Sequence, residues 1–97
     1  MVYVIATKDF SIIKIGRSSS FKQRFTNIKS ACPYDLFLWL SIRTPAPNEL
    51  EKYLHNRYSH RNMRGEWFKL DDLELDELLA FFTLTNSHIR EVKNALL

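Results

Sequence analysis

Apolar and polar positions near the start of the chain follow a pattern that predicts a β-hairpin. The apolar run VYVIA covers residues 2–6, the polar turn TKDFS follows, and a second apolar run ends at Gly16. Two such runs joined by a short polar turn are typical of paired antiparallel strands. Lys14 alternates with Ile13 and Ile15, so it points to the opposite side of its strand. Gly16 is expected to permit a tight turn, or the close approach of a ligand to the backbone.

Helical spacing of apolar residues follows the hairpin. Phe21, Phe25 and Ile28 recur at intervals of four and three residues, which predicts a helix whose apolar stripe faces the core. The serines at residues 18–20 can cap this helix. Arg24 lies beside the stripe, so we expect its side chain at the edge where the helix meets the sheet.

The middle of the chain predicts another strand and another helix. Residues 36–42, LFLWLSI, are apolar and too few for a typical helix, so we expect a central strand buried on both faces. The proline-containing segment after it suits the first turn of a helix. The apolar stripe of that helix is Leu50, Leu54 and Tyr58. Glu51 and His55 are four residues apart on the neighbouring stripe, at the margin of the core.

The last third of the chain predicts a short strand and two helices. A tight turn at residues 62–65 leads to an extended segment at residues 66–70, and the DDLE pattern from Asp71 resembles a capping box. Asn86 or Ser87 could cap a final helix with apolar positions at Ile89, Val92 and Leu96. The prediction is an α+β fold, a small central antiparallel sheet flanked by helices in the order β-β-α-β-α-β-α-α. One domain covers residues 1–97, with its motifs in residues 1–70 and a helical extension at residues 71–97.

Composition narrows the class of protein. The 97 residues are 45% hydrophobic, which suffices for one globular core and excludes a disordered chain. No apolar run approaches the roughly 20 residues of a membrane span, and the first residues lack a secretory signal. We therefore expect a protein of the cytoplasm, or of the nucleoid or nucleus, that is neither secreted nor bound to a membrane. The lone Cys32 excludes an intramolecular disulfide and is expected to be a buried thiol.

Charge is distributed unevenly along the chain. The net charge of +3 and the pI near 9.2 fit a nucleic-acid partner without requiring one. Acidic residues gather in the segment DDLELDE at residues 71–77, so the two parts of the chain are expected to have different roles. At the start of the first helix, free N–H groups beside Arg17, Lys22 and Arg24 favour a phosphate. A capped helix with a solvated basic face explains the same pattern.

Short motifs in the first 70 residues resemble those of the GIY-YIG nuclease superfamily. In chain order they are VYV at residues 2–4, KIG at residues 14–16, Arg24, LE and LH at residues 50–51 and 54–55, and GEWF at residues 65–68. The KIG and GEWF pieces resemble the branch that includes the meiotically up-regulated gene 113 family. Each piece is short, and their order and spacing carry the resemblance. Residues 71–97 lie outside it.

The resemblance implies metal-dependent hydrolysis of a DNA phosphodiester. Glu51 matches the glutamate that binds one divalent ion, Mg²⁺ or Mn²⁺, and Arg24 matches the arginine that contacts the scissile phosphate. Tyr3 matches the tyrosine implicated in proton transfer to or from the attacking water. Lys14 stands where the second motif commonly has a tyrosine, and Ile28 stands where the family's helix often has a histidine.

These residue types suit that chemistry. A single carboxylate binds a hard cation and leaves positions for substrate and water, and a guanidinium offers paired donors to phosphate oxygens. Tyrosine is a weak base unless a cation lowers its pKa, and Lys14 on the paired strand is such a neighbour in this hypothesis. The alternatives are a packing role for Tyr3, and surface charges or a mutual ion pair for Arg24 and Glu51.

Other residues in or near the motifs are expected to have structural or supporting roles. His55 is expected either to serve the site, as a proton relay or a partner of the metal ligand, or to be a structural histidine. Glu66 is expected to be a structural acid, and Trp67 and Phe68 to be core residues. The candidates for positioning DNA phosphates are the basic side chains Arg17, Lys22, Arg57, Arg61 and Arg64.

Two functions follow from these patterns. The first is a small DNA endonuclease that depends on magnesium or manganese. The second is a catalytically weak or inactive module of the same fold that binds nucleic acid or protein. In either case the leucine-rich C-terminal helices are expected to contact a protein partner or a second copy of the chain.

Overall fold

Five antiparallel strands form one sheet with three helices around it, which confirms the predicted α+β class. The computed structural model describes the backbone of residues 1–96 and the side chains of residues 1–86. The elements are β1 (Val2–Thr7), β2 (Ile13–Arg17), α1 (Phe21–Ala31), β3 (Leu36–Ile42), α2 (Pro47–Arg57), a 3₁₀ turn (Ser59–Arg61), β4 (Asn62–Arg64), β5 (Trp67–Phe68) and α3 (Asp72–Leu96). No helix within the described residues is long and apolar enough to span a membrane.

Strand order shows that the prediction of a central position for β3 is wrong. The order is β3-β1-β2-β5-β4, so β3 lies at one edge, while β1 is buried along its whole length. Phe37 and Leu38 of β3 expose 37% and 38% of their surface. The ring of Phe10, in the β1–β2 turn, lies 5.4 Å from that of Phe37 and 5.0 Å from that of Trp39. The apolar character of β3 thus reflects this aromatic cluster, not burial on both faces.

One face of the sheet forms the main core with α2 and α3. Val4 and Ile15 of the sheet, Leu54 of α2 and Leu78 and Phe82 of α3 are all buried there. Burying one such side chain contributes about 1.5–3 kcal/mol to stability. The predicted stripe of α2 is therefore confirmed, and it holds this helix against β2.

The predicted capping box starts α3. The backbone N–H of Glu74 donates to Asp71 Oδ1 at 2.8 Å, and the backbone N–H of Asp71 donates to Glu74 Oε1 at 3.1 Å. The prediction of two C-terminal helices is wrong, because no glycine or proline interrupts residues 72–96 and the helix continues through Asn86. The stripe predicted at Ile89, Val92 and Leu96 lies outside the residues whose side chains are described.

Several local predictions also change. Residues 62–64 of the predicted tight turn form β4 instead, and the chain turns at Gly65, whose φ is +55°, before the short β5. The side chain of Ser20 makes no cap hydrogen bond to α1, whereas Ser18 Oγ accepts the backbone N–H of Ser20 at 3.0 Å. The expectation of a buried thiol is wrong, because Cys32 is partly exposed where α1 ends.

Candidate active site

The candidate site lies beside β2, where its pairing with β5 stops. Of the residues of β2, only Ile13 and Lys14 pair with β5. Beyond them the backbone N–H of Ile15 donates to the Glu66 carbonyl at 3.0 Å. The Ile15 carbonyl accepts Nε2–H of His55 at 2.7 Å. We call the space beside residues 15–17 of β2, flanked by α2 and the loop before β5, the β2 notch.

Tyr3 reaches towards this notch across Gly16. The two residues are register partners in the β1–β2 pair. A Cβ atom on Gly16 would lie 2.6 Å from Tyr3 Oη and 2.7 Å from its Cζ, closer than real Cβ atoms approach. Gly16 therefore permits a close approach, but the group that approaches is the Tyr3 phenol and the residue lies within a strand. The prediction of a tight turn at Gly16 is wrong.

The Tyr3 hydroxyl is buried in a charged environment. Oη makes no hydrogen bond of good geometry to any described residue. Burial raises the pKa of Tyr3, nearby Glu66 and Glu51 add to that shift, and the adjacent Arg24 guanidinium opposes it. The expectation that Lys14 lowers this pKa is not supported, because the Lys14 ammonium is paired with Glu66 and the net shift is upward.

Arg24 comes to the notch from α1. Its guanidinium lies against the Tyr3 hydroxyl, and Tyr3, Glu66 and Glu51 all raise the pKa of Arg24. The Phe21 ring lies 5.2 Å from the Tyr3 ring and stacks on Phe25 at 5.3 Å. This aromatic stack sets α1 over Tyr3, so the predicted position of Arg24 at the meeting of helix and sheet is confirmed.

Glu51 approaches the same place from α2. Its side chain is 17% exposed, and Oε1 lies 3.5 Å from Nε of Arg17. Oε2 is buried without a hydrogen-bond partner in the described part of the chain. Among the described residues Glu51 forms its ion pair with Arg17 and not with Arg24, which removes the alternative of a mutual Arg24–Glu51 pair.

The possible metal ligands at the β2 notch are compatible with one divalent ion bound through the Glu51 carboxylate alone. No group of three or more His, Cys, Asp or Glu residues capable of holding a metal occurs among the described residues. A buried carboxylate oxygen without a partner is costly, and a bound cation would remove that cost. Glu51 Oε2 is such an atom, so the residues present are compatible with the expected Mg²⁺ or Mn²⁺.

Lys14, Glu66 and Trp67 form a second charged group next to the site. Lys14 Nζ lies 2.9 Å from Glu66 Oε2 and 5.1 Å from the centroid of the Trp67 ring, and the Lys14 side chain is 12% exposed. Phe68 is buried in the core. The ion pair agrees with the structural role expected for Glu66, and Phe68 is a core residue as expected. Trp67 is only partly buried and lies outside the core cluster, so the expectation of a core position is wrong for it.

His55 is tied to the sheet. Its Nε2–H donates a hydrogen bond to the Ile15 carbonyl, which is not paired with β5. Its ring lies 5.1 Å from that of Phe68. This bond favours the structural alternative, because the nitrogen that faces β2 already has a partner.

Two of the predicted phosphate-binding residues form short hydrogen bonds to acidic side chains, unlike Arg17 with its looser contact to Glu51. Arg57 donates to both carboxylate oxygens of Glu77 at 2.8 Å. Arg61 donates to Asp71 at 2.9 Å and to Glu74 at 2.7 Å. The acidic segment at residues 71–77 thus neutralises basic side chains at and after the end of α2, which explains the uneven charge. Arg17, Lys22 and Arg64 are exposed.

Comparison with known proteins identifies the family but no close relative. The family model of the T5orf172 domain matches residues 1–93, so the match includes most of α3 as well as the motif-bearing part. This domain occurs in nuclease-related, endonuclease-like proteins. The comparison with curated proteins found no match, and neither did the comparison with solved structures. The chain belongs to the T5orf172 domain family.

Proposed function

We propose that the protein is a metal-dependent DNA endonuclease of the GIY-YIG type that hydrolyses phosphodiester bonds. One observation carries the proposal: the Tyr3 hydroxyl and the Arg24 guanidinium lie against each other at the β2 notch, with the Glu51 carboxylate close enough to raise the pKa of both. Two of these groups present a buried oxygen without a hydrogen-bond partner among the described residues. Such unsatisfied polar atoms are costly and suit a site that is completed by ligands.

In this proposal Glu51 holds Mg²⁺ or Mn²⁺. A divalent ion held there would supply Lewis-acid polarisation of the phosphate and activation of the attacking water. The packing of Leu50 and Leu54 against the sheet holds α2, and hence the Glu51 carboxylate, in place before substrate arrives.

Arg24 would bind the phosphate oxygens. A guanidinium presents paired donors, and its positive charge stabilises the negative charge that develops on the phosphate during cleavage. Arg24 is exposed, so it can contact a substrate without moving out of the core. The exposed Arg17, Lys22 and Arg64 would add contacts to the DNA backbone that do not depend on base sequence.

Tyr3 would act as a hydrogen-bond donor in the resting protein. A tyrosine, whose ordinary pKa is about 10, already keeps its proton at neutral pH, and burial raises the pKa of Tyr3 further, so Oη can donate to a water molecule or a phosphate oxygen. A cation brought near Oη would lower this pKa and favour proton transfer.

The contacts of Lys14 support assignment to the KIG and GEWF branch. Lys14 of the KIG motif pairs with Glu66 of the GEWF motif and lies over the ring of Trp67. The two motifs that carry this part of the resemblance are therefore in direct contact, and Lys14 has a partner that a tyrosine would not need.

The alternative function is a binding module that retains the fold with weak or no catalysis. Two observations favour it: Ile28 replaces the histidine that the family often has, and Tyr3 has no exposed surface. Exposed Leu73 and Leu84 on α3 are compatible with a protein partner or a second copy there, and this stays a prediction.

Nicking of supercoiled plasmid separates the two functions. We expect the wild type to nick in Mg²⁺ or Mn²⁺ and not in EDTA, and Glu51→Gln to lose about 100-fold or more, equivalent to about 2.7 kcal/mol of barrier. Glu49→Gln makes the same charge change at an exposed position on the same helix and should leave the rate unchanged. Absence of nicking in both metals, or equal losses in both variants, would reject the endonuclease.

A further inference from the structure

We infer that Arg17 is the counter-ion of Glu51 in the metal-free protein, and that a divalent ion must compete with it for the carboxylate. The inference rests on the proposed function, since it takes Glu51 as the metal ligand. It adds a role for Arg17 beyond contact with DNA.

The geometry of the Arg17–Glu51 pair is that of a loose contact. Nε of Arg17 lies 3.5 Å from Glu51 Oε1, which is within ion-pair range but beyond the usual length of a charge-assisted hydrogen bond. The pair of Arg57 and Glu77 on the same protein is different, with two hydrogen bonds of 2.8 Å. Arg57 thus has a closed bidentate partner, whereas Arg17 has only electrostatic attraction to hold it.

The partial burial of Glu51 makes its contact with the positive charge of Arg17 important for the carboxylate. The carboxylate is only 17% exposed, so it is partly removed from water, and its Oε2 has no partner within the described residues. A carboxylate in this condition needs a nearby positive charge. Arg17 supplies the nearest such charge among the described residues.

The position of Arg17 allows its side chain to move away from Glu51. It is the last residue of β2, and half of its side chain is exposed. A guanidinium 3.5 Å from Glu51 Oε1 repels a cation that approaches the free Oε2, so metal binding favours its departure. Moving into solvent costs little for a half-exposed arginine, and a released guanidinium is then free to contact a phosphate.

The test is the affinity of the protein for Mn²⁺ alone, measured by isothermal titration calorimetry without DNA. Arg17→Ala should bind Mn²⁺ roughly three- to tenfold more tightly than the wild type, because the competing charge is gone. Lys52→Ala is the matched control: it removes the same charge beside Glu51 on α2, from an exposed side chain for which no ion pair is described. Its Mn²⁺ affinity should stay within twofold of the wild type.

The outcomes separate failure of the inference from failure of the proposed function. Unchanged or weaker Mn²⁺ binding by Arg17→Ala, or equal tightening by both variants, would overturn the competition and leave the metal site standing. If the wild type binds no Mn²⁺, or if Glu51→Gln binds it as well as the wild type, the metal site itself is wrong and the inference falls with it. Circular dichroism of each variant checks that the fold is intact.

Discussion

Replacing Tyr3 with phenylalanine should stabilise the protein, although Tyr3 belongs to the proposed active site. Oη is buried and has no hydrogen-bond partner of good geometry among the described residues. Leaving a hydroxyl in this state costs about 1–3 kcal/mol. Arg24 lies close enough to recover part of that cost. The phenylalanine ring keeps the packing over Gly16, so we expect the free energy of unfolding to rise by about 0.5–2 kcal/mol.

Tyr58 provides the matched control. It is as buried as Tyr3, with 2% of its surface exposed, but its hydroxyl donates to Glu77 Oε1 at 2.9 Å. Tyr58→Phe removes this hydrogen bond and should lower the free energy of unfolding by about 1–2 kcal/mol. The same chemical change at two buried tyrosines is therefore predicted to have opposite signs.

Urea denaturation and thermal unfolding both measure the difference. For a domain of this size each 1 kcal/mol shifts the melting temperature by about 4–8 °C. If Tyr3→Phe is destabilised as much as Tyr58→Phe, then Oη has a partner and the reasoning about an unsatisfied hydroxyl is refuted. Increased stability together with loss of nicking would be typical of a residue kept for function at a cost in stability.

Three further substitutions probe the fold and its charges. Gly16→Ala should lower the free energy of unfolding by about 1–3 kcal/mol in urea denaturation, because the added methyl group overpacks against Tyr3, and it should shift the NMR resonances of the Tyr3 ring. Gly65 has a φ of +55° and open space around it, so Gly65→Ala causes backbone strain without a clash. It should lower the free energy of unfolding by about 1–2 kcal/mol and leave those resonances in place. Hydrogen bonds from Arg57 hold the pKa of Glu77 below its usual value. The ionised Glu77 carboxylate therefore stabilises the folded protein fully above the unfolded pKa near 4.3. This stabilisation is lost as the pH falls through the lower pKa of the folded state. Glu77→Gln should therefore show a smaller decrease in melting temperature than the wild type between about pH 5 and pH 3. An equal decrease in both proteins would contradict this.

Local patterns in the sequence predicted the elements whose formation depends on near neighbours. The stripe of Leu50, Leu54 and Tyr58 identified α2, and the DDLE pattern identified the start of α3, because both depend on residues within one or two turns. The edge position of β3 could not be predicted in this way. Strand order depends on which distant segments pair, and an apolar strand covered by an aromatic cluster resembles a central strand in sequence.

The candidate site was predictable to a similar degree. The resemblance identified Tyr3, Arg24 and Glu51, and the hairpin made it reasonable to expect Tyr3 near the second motif. That Tyr3 lies across Gly16 depends on the register, which the length of the turn sets. The partners of the charged residues were not predictable, since several basic residues could have reached Glu51 and only the packing of α2 on β2 selects Arg17.

The most direct test of the central claim is a double-mutant cycle on single-turnover plasmid nicking. The four proteins are the wild type, Arg24→Ala, Glu51→Ala and the double variant, each assayed in Mg²⁺ and in Mn²⁺. Residues that act together in one active site have strongly non-additive effects. We predict that each single variant loses about 100-fold or more and that the double variant is little worse than the slower single variant. Nicking by either single variant at the wild-type rate, or losses that multiply in the double variant, would contradict a shared site.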